Sequence, residues 1–161
     1  MKTLKIKTEH LSPTSLRLSC HFNAGPDRVF EAWTNPAHIA KWFHPEENVF
    51  CHTAEVDPQH GGKYRIMMTT PGGPITAFGD YTIFDRPTHL QMNWQWDHEE
   101  HAYTSRLDLE MTASGKGTDF VMTHDRFDDE RSRDMHQQGW TGCINTLFTF
   151  FDNQPTNENQ S

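Results

Sequence analysis

The residue whose type and place most invite chemistry is His124. It ends a stretch in which Phe120, Met122 and His124 alternate with Asp119, Val121 and Thr123, so alternation turns its imidazole inward. Two readings follow. The favoured one is a core histidine bonded to a backbone carbonyl. The other is a group that hydrogen-bonds a ligand oxygen, or serves as general acid or base beside Tyr64 or Tyr103. His136, one turn before Trp140, carries the same pair of readings, with the structural one ahead. The segment Asp97-His98-Glu99-Glu100-His101 raises a metal site. A zincin-type site needs histidines at i and i+4 on a helix, whereas these are three apart in a hairpin turn. It reads as a solvated charged turn, and no metal or cofactor is expected. Cys20, Cys51 and Cys143 are odd in number and far apart, which gives neither a disulfide framework nor ligand spacing. Each sits in an apolar pattern, as a buried, inert thiol would. There is no G-x-S-x-G elbow, Walker loop or dinucleotide fingerprint, so no catalytic residue is assigned.

The elements that would position these side chains follow from periodicity. Leu16, Leu18, Cys20 and Phe22 share one face of a first strand. Asn23 to Asp27 breaks it, with Pro26 suited to the first turn of a helix. Val29, Phe30 and Trp33, then Ile39, Trp42 and Phe43, mark two short helices separated at Asn35-Pro36. Turn signals then punctuate a run of alternating segments: 49–56, 63–68, 75–84, 90–96, 103–111 and 118–124. Between Ile75 and Phe84 the face is open, since Tyr81 and Ile83 argue for one side and Phe78 and Phe84 for the other. From Asp128 to Asp152 no proline intervenes, and Met135, Gly139, Trp140, Cys143, Ile144, Leu147 and Phe151 recur at spacings of three and four. Such a helix would run about 36 Å, enough to cross a sheet. The fold class is therefore α+β: a curved antiparallel sheet of six to seven strands, two short helices after the first strand, and one long C-terminal helix. Residues 1–15 form an N-terminal segment that extends the first strand or stays outside it, 16–152 one domain, and 153–161 a disordered tail.

This order of elements carries a resemblance. Pro26-Asp27-Arg28-Val29-Phe30-Glu31-Ala32-Trp33-Thr34-Asn35-Pro36, Ile39-Ala40-Lys41-Trp42-Phe43, Gly61-Gly62-Lys63-Tyr64, Pro87-Thr88-His89-Leu90 with Trp94, Gly117-Thr118, Thr123-His124 and His136-Gln137-Gln138-Gly139-Trp140 stand in sequence. In these the chain resembles the START-related superfamily, within it the branch similar to the C-terminal domain of the heat-shock-chaperone ATPase activator. The resemblance implies a helix-grip fold, often dimeric, with an apolar cavity between sheet and helix. It implies no single activity, because relatives include lipid carriers, aromatic cyclases and a co-chaperone domain.

On that plan the cavity candidates are Tyr64, Ile66 and Met68 from one strand and Met92 and Trp94 from another. Tyr103, Leu107, Phe120, Met122 and His124 follow, with Trp140 and Ile144 from the helix. Met and aromatic side chains suit a planar or acyl guest; for most of them plain core packing is the favoured reading, and for Trp94, Tyr103 and Tyr64 the two stand level. Composition narrows the partner. The net charge of −8 and the absence of any basic run argue against nucleic acid and anionic membrane surfaces. No apolar stretch approaches the roughly 20 residues of a bilayer span, and Met1 to Lys5 lacks the pattern of a signal peptide. With reduced thiols, this gives a cytoplasmic expectation. The expected partner is a small apolar or aromatic molecule, with a chaperone and a cyclase- or hydrolase-like activity as alternatives.

Overall fold

A computed structural model describes residues 4–98 and 103–153. The elements are β1 (Lys7–Ser12), β2 (Ser15–Phe22), α1 (Pro26–Thr34), α2 (Pro36–Trp42), β3 (Phe50–Val56), β4 (Lys63–Thr69), β5 (Ile75–Asp85), β6 (His89–Trp96), β7 (Ser105–Ser114), β8 (Gly117–Asp125) and α3 (Glu130–Asn153). The sheet is antiparallel throughout, in the order β1-β2-β8-β7-β6-β5-β4-β3. The six strands from β3 to β8 form a meander. β2 pairs with its last member, so α1 and α2 carry the chain from one side of the sheet to the opposite edge.

The architecture is the helix-grip arrangement, with eight strands where six to seven were expected. The extra one is β1, in the polar N-terminal segment. It pairs with β2 from Lys7↔Ser19 to Ser12↔Ser15, yet its side chains are almost all exposed, so no apolar alternation announces it. The two short helices accordingly follow the second strand. Pro26 starts α1 and Pro36 starts α2, whose Asn35 cap accepts from the Ala37 amide at 2.9 Å.

The open question on β5 resolves through a bulge. Ala77, Gly79 and Tyr81 are buried, the register with β6 slips between Tyr81 and Ile83, and Phe84 is then brought back inside. Phe84 meets Phe30 at 5.2 Å and Tyr81 at 5.2 Å between ring centroids. The added residue lets Tyr81 and Phe84 both face inward, and it bends the sheet.

α3 buries Trp140, Cys143, Ile144, Leu147 and Phe151. Arg133 is also buried and donates to the Ser12 carbonyl at 3.0 Å, tying the helix to the β1–β2 turn. Among the described residues no helix is long and apolar enough to cross a membrane. The expected tail beyond Asn153, and Glu99 to Ala102 of the charged turn, lie outside the described residues.

Candidate functional site

The space between the sheet and α3 is largely occupied by rings. Trp33 packs on Trp42 at 4.7 Å and on Phe120 at 5.8 Å; Trp94 packs on Trp140 at 5.0 Å and on Tyr64 at 5.9 Å. A void of only about 10 Å³ survives among them, walled by Trp33, Tyr64, Ile66, Met92 and Trp94 with their neighbours. That is close to the minimum for one water. The indole nitrogens of Trp33 and Trp94 are both buried without a hydrogen-bond partner.

An apolar cleft lies at one end of the sheet. A cleft of about 200 Å³ opens between the first half of α3 (Met135, His136, Gly139, Trp140, Cys143), the ends of β4, β5 and β6 (Met68, Ile75, Trp94, Trp96), and the stretch from Phe43 to Val49. Met135 belongs to the stripe read from the sequence but is 62% exposed, because it overhangs the cleft rather than the sheet. A wider hollow of about 470 Å³ sits near Pro26, Pro87, His89 and Glu110; it offers no aromatic ring beyond the His89 imidazole.

The twelve sequence-derived candidates therefore separate. Met68, Trp94 and Trp140 line the cleft. Tyr64, Ile66 and Met92 wall the small inner void with Trp94. Leu107, Phe120, Met122 and Ile144 are fully packed core. Tyr103 is half-buried, its hydroxyl 2.8 Å from Ser132 Oγ. Trp96, Met135, Gly139, Val49 and Phe43 also line the cleft, although the sequence reading did not put them among the cavity candidates. Trp96 and Met135 stand on faces that only partly enter the core, and Val49 lies before the strand begins. Their common feature is position at one end of the sheet, which periodicity within a single element does not report.

His124 is wholly buried. Trp140 Nε1 donates to its Nδ1 at 3.0 Å, so the proton sits on Nε2, which is 2.7 Å from Ser105 Oγ. Ser105 Oγ in turn donates to the Trp94 carbonyl at 3.1 Å. Both ring nitrogens are engaged, and burial, with His136 nearby, holds the imidazole well below its ordinary range and neutral. His136 repeats the arrangement: Trp96 Nε1 donates to its Nε2 at 2.9 Å, and its Nδ1 donates to the Ser132 carbonyl at 2.8 Å. Its affinity for a proton is also lowered, mainly by burial, against opposing contributions from the Ser132 carbonyl and Asp128. The two imidazoles lie 5.1 Å apart. They form a polar seam in an aromatic wall, each tautomer fixed by an indole N–H. The Tyr64 hydroxyl is committed elsewhere, donating to the Asn93 carbonyl at 2.7 Å.

One contact sets the cleft's depth. A Cβ at Gly142 would lie 2.1 Å from the Pro45 carbonyl oxygen, so only glycine lets α3 sit this close to the segment after α2. Gly139, part of the helix stripe read from the sequence, faces Pro45 with room for ordinary contact at 3.6 Å. Thr146 Oγ1 donates to the Trp42 carbonyl at 2.6 Å and closes the same junction.

The cysteines match no reactive environment. Burial raises Cys51 to about 11 and, with the Asp119 charge, Cys20 to about 12; burial pushes Cys143 higher still. Among the described residues no three His, Cys, Asp or Glu side chains converge as a metal site.

With this geometry in hand, the comparisons are specific about fold. The model of the family described as Activator of Hsp90 ATPase homolog 1-like protein matches residues 23–152. No curated protein matches. Among solved structures, a Rhodobacter sphaeroides protein superposes with a TM-score of 0.78 at 22% identity, covering 92% of this chain and 98% of its own. An HSP90 activator from Plasmodium falciparum gives 0.69 at 18% identity, covering 86% and 96%. CalU16 from Micromonospora echinospora gives 0.65 at 19% identity, covering 94% and 86%.

Proposed function

The chain belongs to the Activator of Hsp90 ATPase homolog 1-like family, and from that premise we propose that it is a binding protein for a small apolar or aromatic molecule held in the end cleft. The observation that carries this reading is the cleft itself, about 200 Å³ walled by Trp94, Trp96, Trp140, Phe43 and two methionines. Its size selects a small guest, since sites for drug-sized ligands run about 300–1,000 Å³. One or two rings fit that volume; a long acyl chain would need the interior that Trp33, Trp42 and Phe120 already fill. Rigid indoles give flat contact at low entropic cost, and the methionines adapt to the outline of the guest.

Native mass spectrometry with thermal-shift screening of small aromatics, polycyclic aromatics and lipids tests it. A ligand at 100 times its Kd stabilises the fold by about 2.7 kcal/mol, which shifts melting measurably. Val49→Trp, which fills the cleft from its rim, is expected to abolish that shift while leaving the unliganded melting temperature near that of the parent. Absence of any shift across the three classes removes the reading.

A second reading, action on a chaperone ATPase, draws on the family's description and on the similarity to the Plasmodium HSP90 activator. It predicts faster ATP turnover when the protein is added to the Hsp90-type chaperone of the same cell; no change at excess protein removes it. The homodimer that the resemblance implies is tested by sedimentation at micromolar concentration.

A further inference from the structure

The charges around the cleft identify the class of guest further, on the premise that the cleft is the binding site. Among its lining residues there is one carboxylate, Glu46, and no lysine or arginine. Glu46 is exposed at the mouth and forms no ion pair among the described residues. The chain's net charge of −8 adds a negative field. His136 supplies no positive charge, because its Nε2 lone pair is occupied by the Trp96 N–H and its proton points to the Ser132 carbonyl. The indole N–H groups of Trp96 and Trp140 are likewise spent on the two histidines. Of the donors left, the Trp94 N–H is buried without a partner, and the ring of His98, exposed beside Trp96 at 5.2 Å between centroids, is the one imidazole of the lining with no hydrogen bond among the described residues.

The aromatic surface is concentrated. Phe43, Trp94, Trp96 and Trp140 form one cluster centred on Trp94, with centroids 6.3, 5.7 and 5.0 Å from it. Aromatic rings attract a cation through the negative potential of their faces, and tryptophan does so most strongly. A carboxylate group entering the same cleft would lose water, meet the Glu46 carboxylate, and find only the His98 ring as an exposed side-chain donor in the lining.

We propose that the cleft is selective by charge: it takes organic cations with an apolar body, such as aryl or alkyl quaternary ammonium groups, over neutral isosteres, and rejects carboxylate- or sulfonate-bearing ones. The aromatic cluster holds the body and partly neutralises the charge, while Glu46 faces the cationic end at the mouth.

Three probes of one shape test this: phenyltrimethylammonium, tert-butylbenzene and benzenesulfonate, titrated by tryptophan fluorescence and calorimetry into the parent and Glu46→Gln proteins. The cation is expected to bind about 2- to 30-fold more tightly than the neutral probe, and benzenesulfonate more weakly than either. Glu46→Gln, an exposed substitution, is expected to weaken the cation about 2- to 5-fold and to leave tert-butylbenzene unchanged. Equal binding of cation and neutral probe overturns the charge selectivity while leaving the apolar-binding reading standing. A preference for the sulfonate also overturns it. Failure of all three probes to bind overturns both.

Discussion

Lowering the pH from 7.5 to 5.5 perturbs the histidine seam without altering a residue. His124 and His136 both have folded-state proton affinities below the ordinary value of 6.5. In the unfolded chain they take up protons as pH falls through that value; in the native state they resist. The stability they contribute is thus fully present above about pH 6.5 and is lost as pH falls toward their folded values. At pH 5.5, one unit below the unfolded value, a histidine that stays neutral in the fold costs about 1.4 kcal/mol; His124, held well below its ordinary range, supplies that amount, and His136, lowered against opposing contributions, adds at most as much again. For a domain of this size that is a fall in Tm of about 3–11 °C. Protonation in place is opposed by geometry: each ring would lose an indole donor, and two cations would lie 5.1 Å apart. The groups that face the pair are Asp128, which favours protonation of His136, and His98, which opposes it. Half-buried His38, also lowered by burial, adds a smaller contribution of the same sign. Chemical denaturation at intervals between pH 7.5 and 5.5 measures the slope, and His136→Gln should reduce it. A flat profile over that range, or an unchanged slope in His136→Gln, would refute the reasoning. Long-range ¹⁵N spectra provide an independent check: a proton on Nε2 of His124 and on Nδ1 of His136 is expected.

The remaining predictions concern packing and reactivity. Trp140→Ala should cost about 3–5 kcal/mol in urea unfolding, and Trp140→Phe less, since it keeps a ring but leaves His124 Nδ1 without its donor, a loss of about 1–3 kcal/mol. Gly142→Ala should destabilise by about 1–3 kcal/mol because its methyl meets the Pro45 carbonyl, whereas Gly139→Ala should be neutral to about 1 kcal/mol stabilising, as alanine favours a helix interior; paired denaturation curves separate them. Cys20, Cys51 and Cys143 should remain unlabelled by a thiol reagent at pH 8 until denaturant is added, because burial keeps all three protonated.

The sheet, its punctuation and the terminal helix were legible because each rests on a local rule. Alternation marked β6 and β8, Pro26 and Pro36 marked two helix starts, and a proline-free run with three- and four-residue spacing marked α3. β1 was hidden because its stability comes from pairing with β2 rather than from burial. The β5 face was ambiguous for a real reason, a bulge that sends Tyr81 and Phe84 the same way.

The site was less legible. Alternation identified which side chains point inward, and so named Leu107, Phe120 and Met122 together with Trp94, but it could not tell a filled interior from an open one. That depends on whether Trp33 and Trp42, on separate helices, reach the same space as Trp94 and Trp140. His124 was recognised as inward; its partner Trp140 lies 16 residues on, across an element boundary, where periodicity is silent. Gly142, in a helix beside the more conspicuous Gly139, gained its meaning only from the Pro45 carbonyl opposite it.

The account's central claim is that a guest occupies the end cleft and leaves the ring-filled interior closed. The five tryptophan indole N–H resonances report on it directly during titration with phenyltrimethylammonium. Shifts are expected at Trp94, Trp96 and Trp140, with Trp33 and Trp42 unmoved. Shifts of Trp33 and Trp42 with Trp96 silent would contradict it.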